Sequence, residues 1–423
     1  MTNKISIFFD CTKLIQLINS TQFNGILRTD VEYLRNFVQK KKDFLVYGIF
    51  EATKEDGRNY LIFLSNELIL KISDAFDSRW FVNDRALAER AIYTKKLIDT
   101  ISNTINKIKL EKDSRIDVSI KKLSKVNSVY INCSFFSILN AAGHAELILK
   151  SGLKPYYIIY DLLPLEYPEF FWTDEIPLKH LNIINAMVST NSTLISISED
   201  VKNKLENLLN QIGVHCKSIS VARCGVSDVF LKNKLTVDAV REFENKFTIF
   251  CTIEPRKNHL LLLNIWREMI NSGVEDIPNL TIIGRRGWHN EDVFRFLDKS
   301  PAIKEYVTVF NNLTDSQMVD QIKSSKATLS PSFGEGWGLP IVESLAMGVP
   351  VICSDIAVHQ ECGQGLATYI HPLDGLGWYK EIVNRIKVSE LDDLNLRKKI
   401  SKFKPITWGD SANEMTLIIK NSF

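Results

Sequence analysis

The feature that most constrains this chain is an alternation. Short apolar runs rich in β-branched and aromatic residues recur along it, each separated from the next by stretches of helical periodicity. In the first half the runs are Ile5 to Cys11, Phe44 to Phe50, Val129 to Cys133, Tyr156 to Leu162, Leu194 to Ile197 and Ser218 to Ala222. In the second half they are Phe247 to Thr252, Leu280 to Ile283, Val307 to Phe310, Ala327 to Ser330, Val349 to Ser354 and Thr368 to His371. Strands alternating with helices favour parallel sheets covered by helices. Two series of similar length, in a chain of 423 residues that is too long for one ordinary core, predict two doubly wound α/β domains. We place the first at residues 1–231, a polar, charged linker at 232–246, the second domain at 247–404 and a closing segment at 405–423. Ligands of such sheets bind outside the carboxyl ends of the strands, so a cleft between the domains is the expected site.

Within that frame, the stretch Pro331 to Gly348 is the most informative. Gly334, Gly336 and Gly338 permit a tight turn after a buried strand, and Pro340 suits the first turn of a helix. Backbone amides at such a helix start, together with the helix dipole, favour a phosphate or another anion. Glu335 lies in the turn and Glu343 about one helical turn inside. A carboxylate beside an anion site is unfavourable unless it has hydroxyl donors to bind, and sugar or ribose hydroxyls meet that need.

Glu335 and Glu343, with Gly336-Trp337-Gly338-Leu339-Pro340 between them and the trailing Gly348 to Asp355, resemble the donor-site signature of retaining glycosyltransferase family 4. Two upstream turns match at the expected places. Thr252 to His259 resembles the family's first phosphate-binding turn, with Arg256 and Lys257 as cations, and Gly284 to His289 resembles its second glycine turn. The resemblance covers nearly the whole chain and implies the GT-B fold, two Rossmann-like domains facing across a cleft. The tail, Pro405 to Trp408 and a helical run to Lys420, resembles the segment that crosses back to the first domain.

The same resemblance assigns roles. Arg256, Lys257 and the amides after Gly336 would carry the charge of a departing diphosphate, with Gly284, Trp337, Gly338 and Leu339 also in the donor site. Glu343 would bind ribose hydroxyls, and Glu335 would lie beside the donor sugar, with its role as a nucleophile open. Asn24, Gly25 and Arg28 lie in the stretch Asn24 to Asp30 before an amphipathic helix, which resembles a loop that reaches the acceptor or the donor phosphate in family members, or else is a turn with Asn-Gly capping a core helix. Asp161 ends a buried strand at the cleft; many members carry a histidine just before it, and here Tyr160 stands there instead. The chain contains no Asp-x-Asp, so no metal or other cofactor is expected.

Phe9 to Thr12, Asn24 to Ile26 and Asp161 to Pro164 look like bacterial members that build surface polysaccharide such as O-antigen or capsule. The expected partners are a nucleotide sugar and a growing, lipid-linked glycan, with peripheral membrane contact. The aromatic cluster Tyr167, Phe170, Phe171 and Trp172 is divided between packing and stacking on an acceptor sugar. The stretch from Ala86 to Leu110 has the pattern of a basic amphipathic helix, which either packs on its own sheet or lies on an anionic membrane.

Composition excludes several alternatives. A net charge of +2 argues against a nucleic-acid binder, although residues 1–150 are basic, with 23 Lys and Arg against 17 Asp and Glu. Seven scattered cysteines without a Cys-x-x-Cys read as buried thiols in a reducing compartment. No signal-peptide pattern opens the chain and no window approaches eighteen apolar residues, so a cytoplasmic location is expected, either free or at the inner face of the membrane. No Gly-x-Gly-x-x-Gly follows the first strand of either half, which disfavours a nicotinamide dehydrogenase. A phosphorylase or an epimerase fits the motifs poorly. A catalytically silent subunit of a glycan-assembly complex is the remaining alternative.

Overall fold

The structure is a computed structural model of the whole chain. It describes residues 4–18, 25–53, 59–64, 66–80, 95–104, 127–134, 138, 140–236 and 243–423. The chain divides into two compact units. The first comprises Met1–Leu162, Leu178–Cys224 and Trp408–Phe423, and the second Leu163–Pro177 and Gly225–Thr407.

The first unit is built on β1 (Ile5–Asp10), β2 (Phe44–Thr53), β3 (Asn59–Leu64), β4 (Ser128–Asn132), β5 (Lys154–Ile159), β6 (Thr193–Ser196) and β7 (Ser218–Val221). Among the described residues their order in the sheet is β3-β2-β1-β4-β5-β6-β7. All neighbours pair in parallel except β2 and β3, which form an antiparallel hairpin. Strand β1 is buried throughout, as a central parallel strand flanked by helices must be. Six of these strands coincide with the apolar runs. The seventh, β3, is an addition to the expected set, and Asp56-Gly57 before its apolar run is the hairpin signal in the sequence.

The helix Trp408–Lys420 belongs to this unit. It buries Trp408, Ala412, Met415 and Ile419. The hydroxyls of Tyr33 and Ser411 are 2.7 Å apart, linking it to the helix Gly25–Gln39. Lys40 reaches the same helix, donating to Asn413 Oδ1 at 2.5 Å and Thr416 Oγ1 at 3.2 Å.

The second unit contains β8 (Lys246–Phe250), β9 (Asn279–Ile283), β10 (Val307–Phe310), β11 (Ala327–Ser330), β12 (Val351–Ser354) and β13 (Thr368–Ile370). Among the described residues they form a parallel sheet in the order β10-β9-β8-β11-β12-β13. Phe247, Trp266 and Trp378, all fully buried, lie in its core. Strand order reverses between β8 and β11, and ligands of doubly wound sheets bind at such a switch point.

Three boundaries differ from the expected ones. The second unit begins at Gly225 rather than after a linker, because Val226 N–H donates to Ile406 O at 2.8 Å and Leu235 N–H to Met347 O at 2.8 Å. Residues 237–242 of the expected linker lie outside the described residues. Leu163–Pro177, expected in the first domain, belongs to the second unit, since Phe170 stacks on Phe333 with centroids 5.5 Å apart. The last change is small: the return to the first unit starts at Trp408, not residue 405.

Of the amphipathic stretch 86–110, residues 95–104 are described, and they are helical. Leu97 and Ile101 there are buried. Among the described residues no helix is long and apolar enough to cross a membrane.

Candidate functional site

Three turns meet at the carboxyl ends of the adjacent strands β9, β8 and β11. The segment after β8 and the turn after β9 are joined by main-chain hydrogen bonds: Ile253 N–H donates to Arg285 O at 2.9 Å, and Gly287 N–H to Ile253 O at 3.0 Å. The turn after β11 joins them through Phe333 N–H, which donates to Arg256 O at 2.8 Å. Motifs distant in sequence are thereby fixed side by side. Gly284 is required by this closeness, because a Cβ there would overlap the Cys251 carbonyl. Its place is in the scaffold of the site.

The charged centre is compact. Arg256 sits in a short 3-10 turn, Pro255–Lys257, and forks three ways: Nη1 donates to Glu335 Oε2 at 2.6 Å and to Gly334 O at 3.0 Å, while Nη2 meets Glu254 Oε1 at 2.8 Å. Lys257 Nζ takes the other oxygen of Glu335 in a close ion pair. Only about a tenth of the Glu335 and Lys257 side chains is exposed, and a fifth of Arg256. Burial opposes ionisation of Glu335, yet the charges of Arg256 and Lys257 and the hydrogen bond from Lys257 outweigh it, holding this carboxyl well below the usual range. Two cations are thus held in one place by one ionised carboxylate.

The helix Leu339–Met347 starts directly beyond. Gly338 is its N-cap with φ +147°, where a side chain would be strained and a Cβ would come within 2.8 Å of Cys362 Sγ. Glu343 is buried inside this helix and Trp337 is buried in the turn before it. Thr328 Oγ1 donates to Ser344 Oγ at 2.9 Å, fixing the helix on β11.

His359 is the residue the sequence reading missed. It is fully buried on the helix Ala357–Gly363, and its Nδ1 lies 2.9 Å from the Ser354 carbonyl, which can only accept. The proton is therefore on Nδ1, leaving Nε2 as an acceptor, with no hydrogen-bond partner among the described residues. Burial lowers its pKa to about 4 against the pull of Glu335, so it is neutral at pH 7. Its signal lay four residues past Asp355, just beyond the motif.

The first-unit candidates fall differently. Asn24 lies outside the described residues. Gly25 opens the helix Gly25–Gln39, its carbonyl accepting from Thr29 Oγ1 at 2.9 Å, and Arg28 is half-buried in that helix's first turn. Asp161 is half-buried just after β5. Tyr160, in the family's histidine position, points into its own unit: it is buried and its hydroxyl donates to Cys133 O at 2.6 Å. Asp10 of the opening motif organises a buried polar network, accepting from Thr12 N–H at 2.7 Å, Tyr130 Oη at 2.5 Å and Asn132 Nδ2 at 2.9 Å.

Residues 237–362 match the family model described as glycosyl transferases group 1. The second unit carries a glycosyl transferases group 1 domain. The chain is 27% identical over 293 residues to the serotype-specific mannosyltransferase WbdA of Escherichia coli, covering 65% of this chain and 34% of WbdA. It is 26% identical over 229 residues to the O-antigen chain mannosyltransferase RfbU of Salmonella typhimurium, covering 53% of this chain and 59% of RfbU. The chain thus spans about a third of WbdA. Among solved structures it is similar to Anabaena HepE in complex with UDP and glucose (TM-score 0.61, 11% identity, 99% of this chain and 100% of HepE). It is also similar to WaaG, a glycosyltransferase of lipopolysaccharide biosynthesis (TM-score 0.57, 12% identity, 98% and 99%). These likenesses identify the fold as GT-B.

Proposed function

We propose that the chain is a retaining glycosyltransferase that moves a hexose from a nucleoside diphosphate sugar to a growing, lipid-linked surface glycan. The observation that carries this reading is the convergence of Arg256 and Lys257 on Glu335 at a glycine turn, directly before a helix N-terminus. Fixed cations at a helix start suit a departing diphosphate, and preorganised donors of this kind need no rearrangement as charge develops. With no Asp-x-Asp in the sequence, Arg256, Lys257 and the turn amides carry that charge and the reaction proceeds without a divalent metal. The mannosyltransferase relatives make a nucleoside diphosphate mannose the first donor to test.

The bond from the anomeric carbon to the phosphate oxygen breaks as the acceptor oxygen forms its bond on the same face. The acceptor proton passes to the leaving phosphate. Glu335 positions the donor sugar; a carboxylate so stabilised by two cations is a weak base and a weak nucleophile, which favours this front-face route over a covalent intermediate. Glu343 binds the ribose.

Hydrolysis of nucleotide sugars by purified protein, with and without chelator, tests the reading. One donor should be hydrolysed, unaffected by chelator, and far more slowly by Lys257→Ala. No turnover of any donor would move weight to a silent subunit.

A further inference from the structure

In the second unit, Leu163–Pro177 carries an exposed indole fastened to the donor turn. Trp172 is 50% exposed. Its ring meets Trp288 edge to face, with centroids 4.9 Å apart and planes at 74°. Trp288 is fixed in turn, since its Nε1–H donates to the Phe170 carbonyl at 2.7 Å. Phe170 lies stacked between Tyr167 and Phe333, at 5.7 Å and 5.5 Å. Phe333 adjoins Gly334, whose carbonyl holds Arg256, and a Cβ at Gly334 would come within 2.7 Å of Leu163 and 2.8 Å of Tyr167. The Phe333–Phe170 ring contact, the hydrogen bond from Trp288 to the Phe170 carbonyl and the Trp288–Trp172 ring contact therefore connect the Glu335 turn to Trp172.

We propose that Trp172, braced by Trp288, is a stacking subsite for a neutral pyranose ring of the acceptor glycan. The proposal rests on the glycosyl-transfer reading. Trp172 is the one large apolar side chain of residues 163–177 that is exposed, so this segment offers a single ring face, with exposed Leu178 following just beyond it. Charge supports it as well. Residues 163–177 contain Glu166, Glu169, Asp174 and Glu175 and no Lys or Arg, and these carboxylates can accept hydroxyl protons of a neutral sugar; of the two cations in the Trp288 turn, Arg285 and Arg286, Arg286 is paired with Asp298. A rigid aromatic face with a polar rim suits a pyranose, whose C–H groups meet the negative face of the ring.

The test is saturation-transfer NMR on the full chain with mannobiose, maltose and lactose, using wild type, Trp172→Phe and Trp172→Ala. Thermal shifts with nucleoside diphosphates and binding to anionic phosphatidylserine vesicles are measured alongside. At least one disaccharide should give transfer to its ring protons in wild type and Trp172→Phe and bind roughly tenfold more weakly to Trp172→Ala, the loss of one stacking aromatic contact. Nucleotide-induced shifts should be equal in all three. Undiminished saccharide binding by Trp172→Ala, no saccharide binding by wild type, or a Trp172-dependent loss of vesicle binding would overturn the subsite. If wild type gives no nucleotide shift while saccharide binding still depends on Trp172, the donor-site reading fails and the subsite stands.

Discussion

Replacing Lys257 by Ala separates the structural from the catalytic use of the charge cluster. Structurally, the loss is partial: Glu335 keeps Arg256 at 2.6 Å, and Arg256 keeps Glu254 and the Gly334 carbonyl. The full penalty for orphaning a buried charge, about 3–5 kcal/mol, therefore does not apply. A single charged hydrogen bond, about 1.5–3 kcal/mol, is the better measure. Against a total stability of about 5–15 kcal/mol the variant stays folded at 25 °C. Catalytically, a lost preorganised donor costs ~10² to 10³ in rate, or about 2.7–4 kcal/mol of barrier. Steady-state hydrolysis of the best donor, beside a urea titration of each protein, distinguishes the two. The variant should be folded at assay temperature yet at least about a hundredfold slower. A kcat/KM unchanged from wild type, or a loss that merely follows the unfolded fraction, would rule out a catalytic role for Lys257.

Three further outcomes follow from the same geometry. Glu335→Gln should lose most activity without trapping a sugar on the protein; a glycosylated residue found by mass spectrometry in the turns around Glu335 would overturn the front-face route. Gly284→Ala forces a methyl into the Cys251 carbonyl and should destabilise the second unit by about 3 kcal/mol or more, seen as a lower urea midpoint; an unchanged midpoint would contradict the packing. His359 is held neutral, its pKa falling from 6.5 to about 4, so the stability it contributes is complete above pH 6.5 and is lost as pH falls through 4. At about 1.4 kcal/mol per unit this is about 3 kcal/mol, and His359→Gln should flatten the fall in urea midpoint between pH 7 and 4.

Much of the second unit was legible because its signals are local. Each strand is a short apolar run, and each turn is marked by residues that bear on conformation or charge: Gly284, Gly338, Arg256, Lys257 and Glu335. What was not legible depends on contacts between distant residues. That Gly284 serves packing follows only from β8 lying beside β9. The assignment of Leu163–Pro177 to the second unit rests on ring contacts with Phe333 and Trp288, which no periodicity announces. His359 looks like any helical histidine until the Ser354 carbonyl fixes its tautomer. The hydrogen bond of the Tyr160 hydroxyl to the Cys133 carbonyl is likewise a packing outcome.

In the proposed mechanism Arg256 and Lys257 form a diphosphate site in which Glu335 holds both cations. The most direct measurement is the thermal shift of wild type and Lys257→Ala with GDP, UDP, TDP, ADP and CMP, each with and without chelator, because a ligand that binds only the folded state raises apparent stability. One diphosphate should give a clear shift, insensitive to chelator and strongly reduced in Lys257→Ala. A shift of equal size in the variant, or one abolished by chelator, would contradict it.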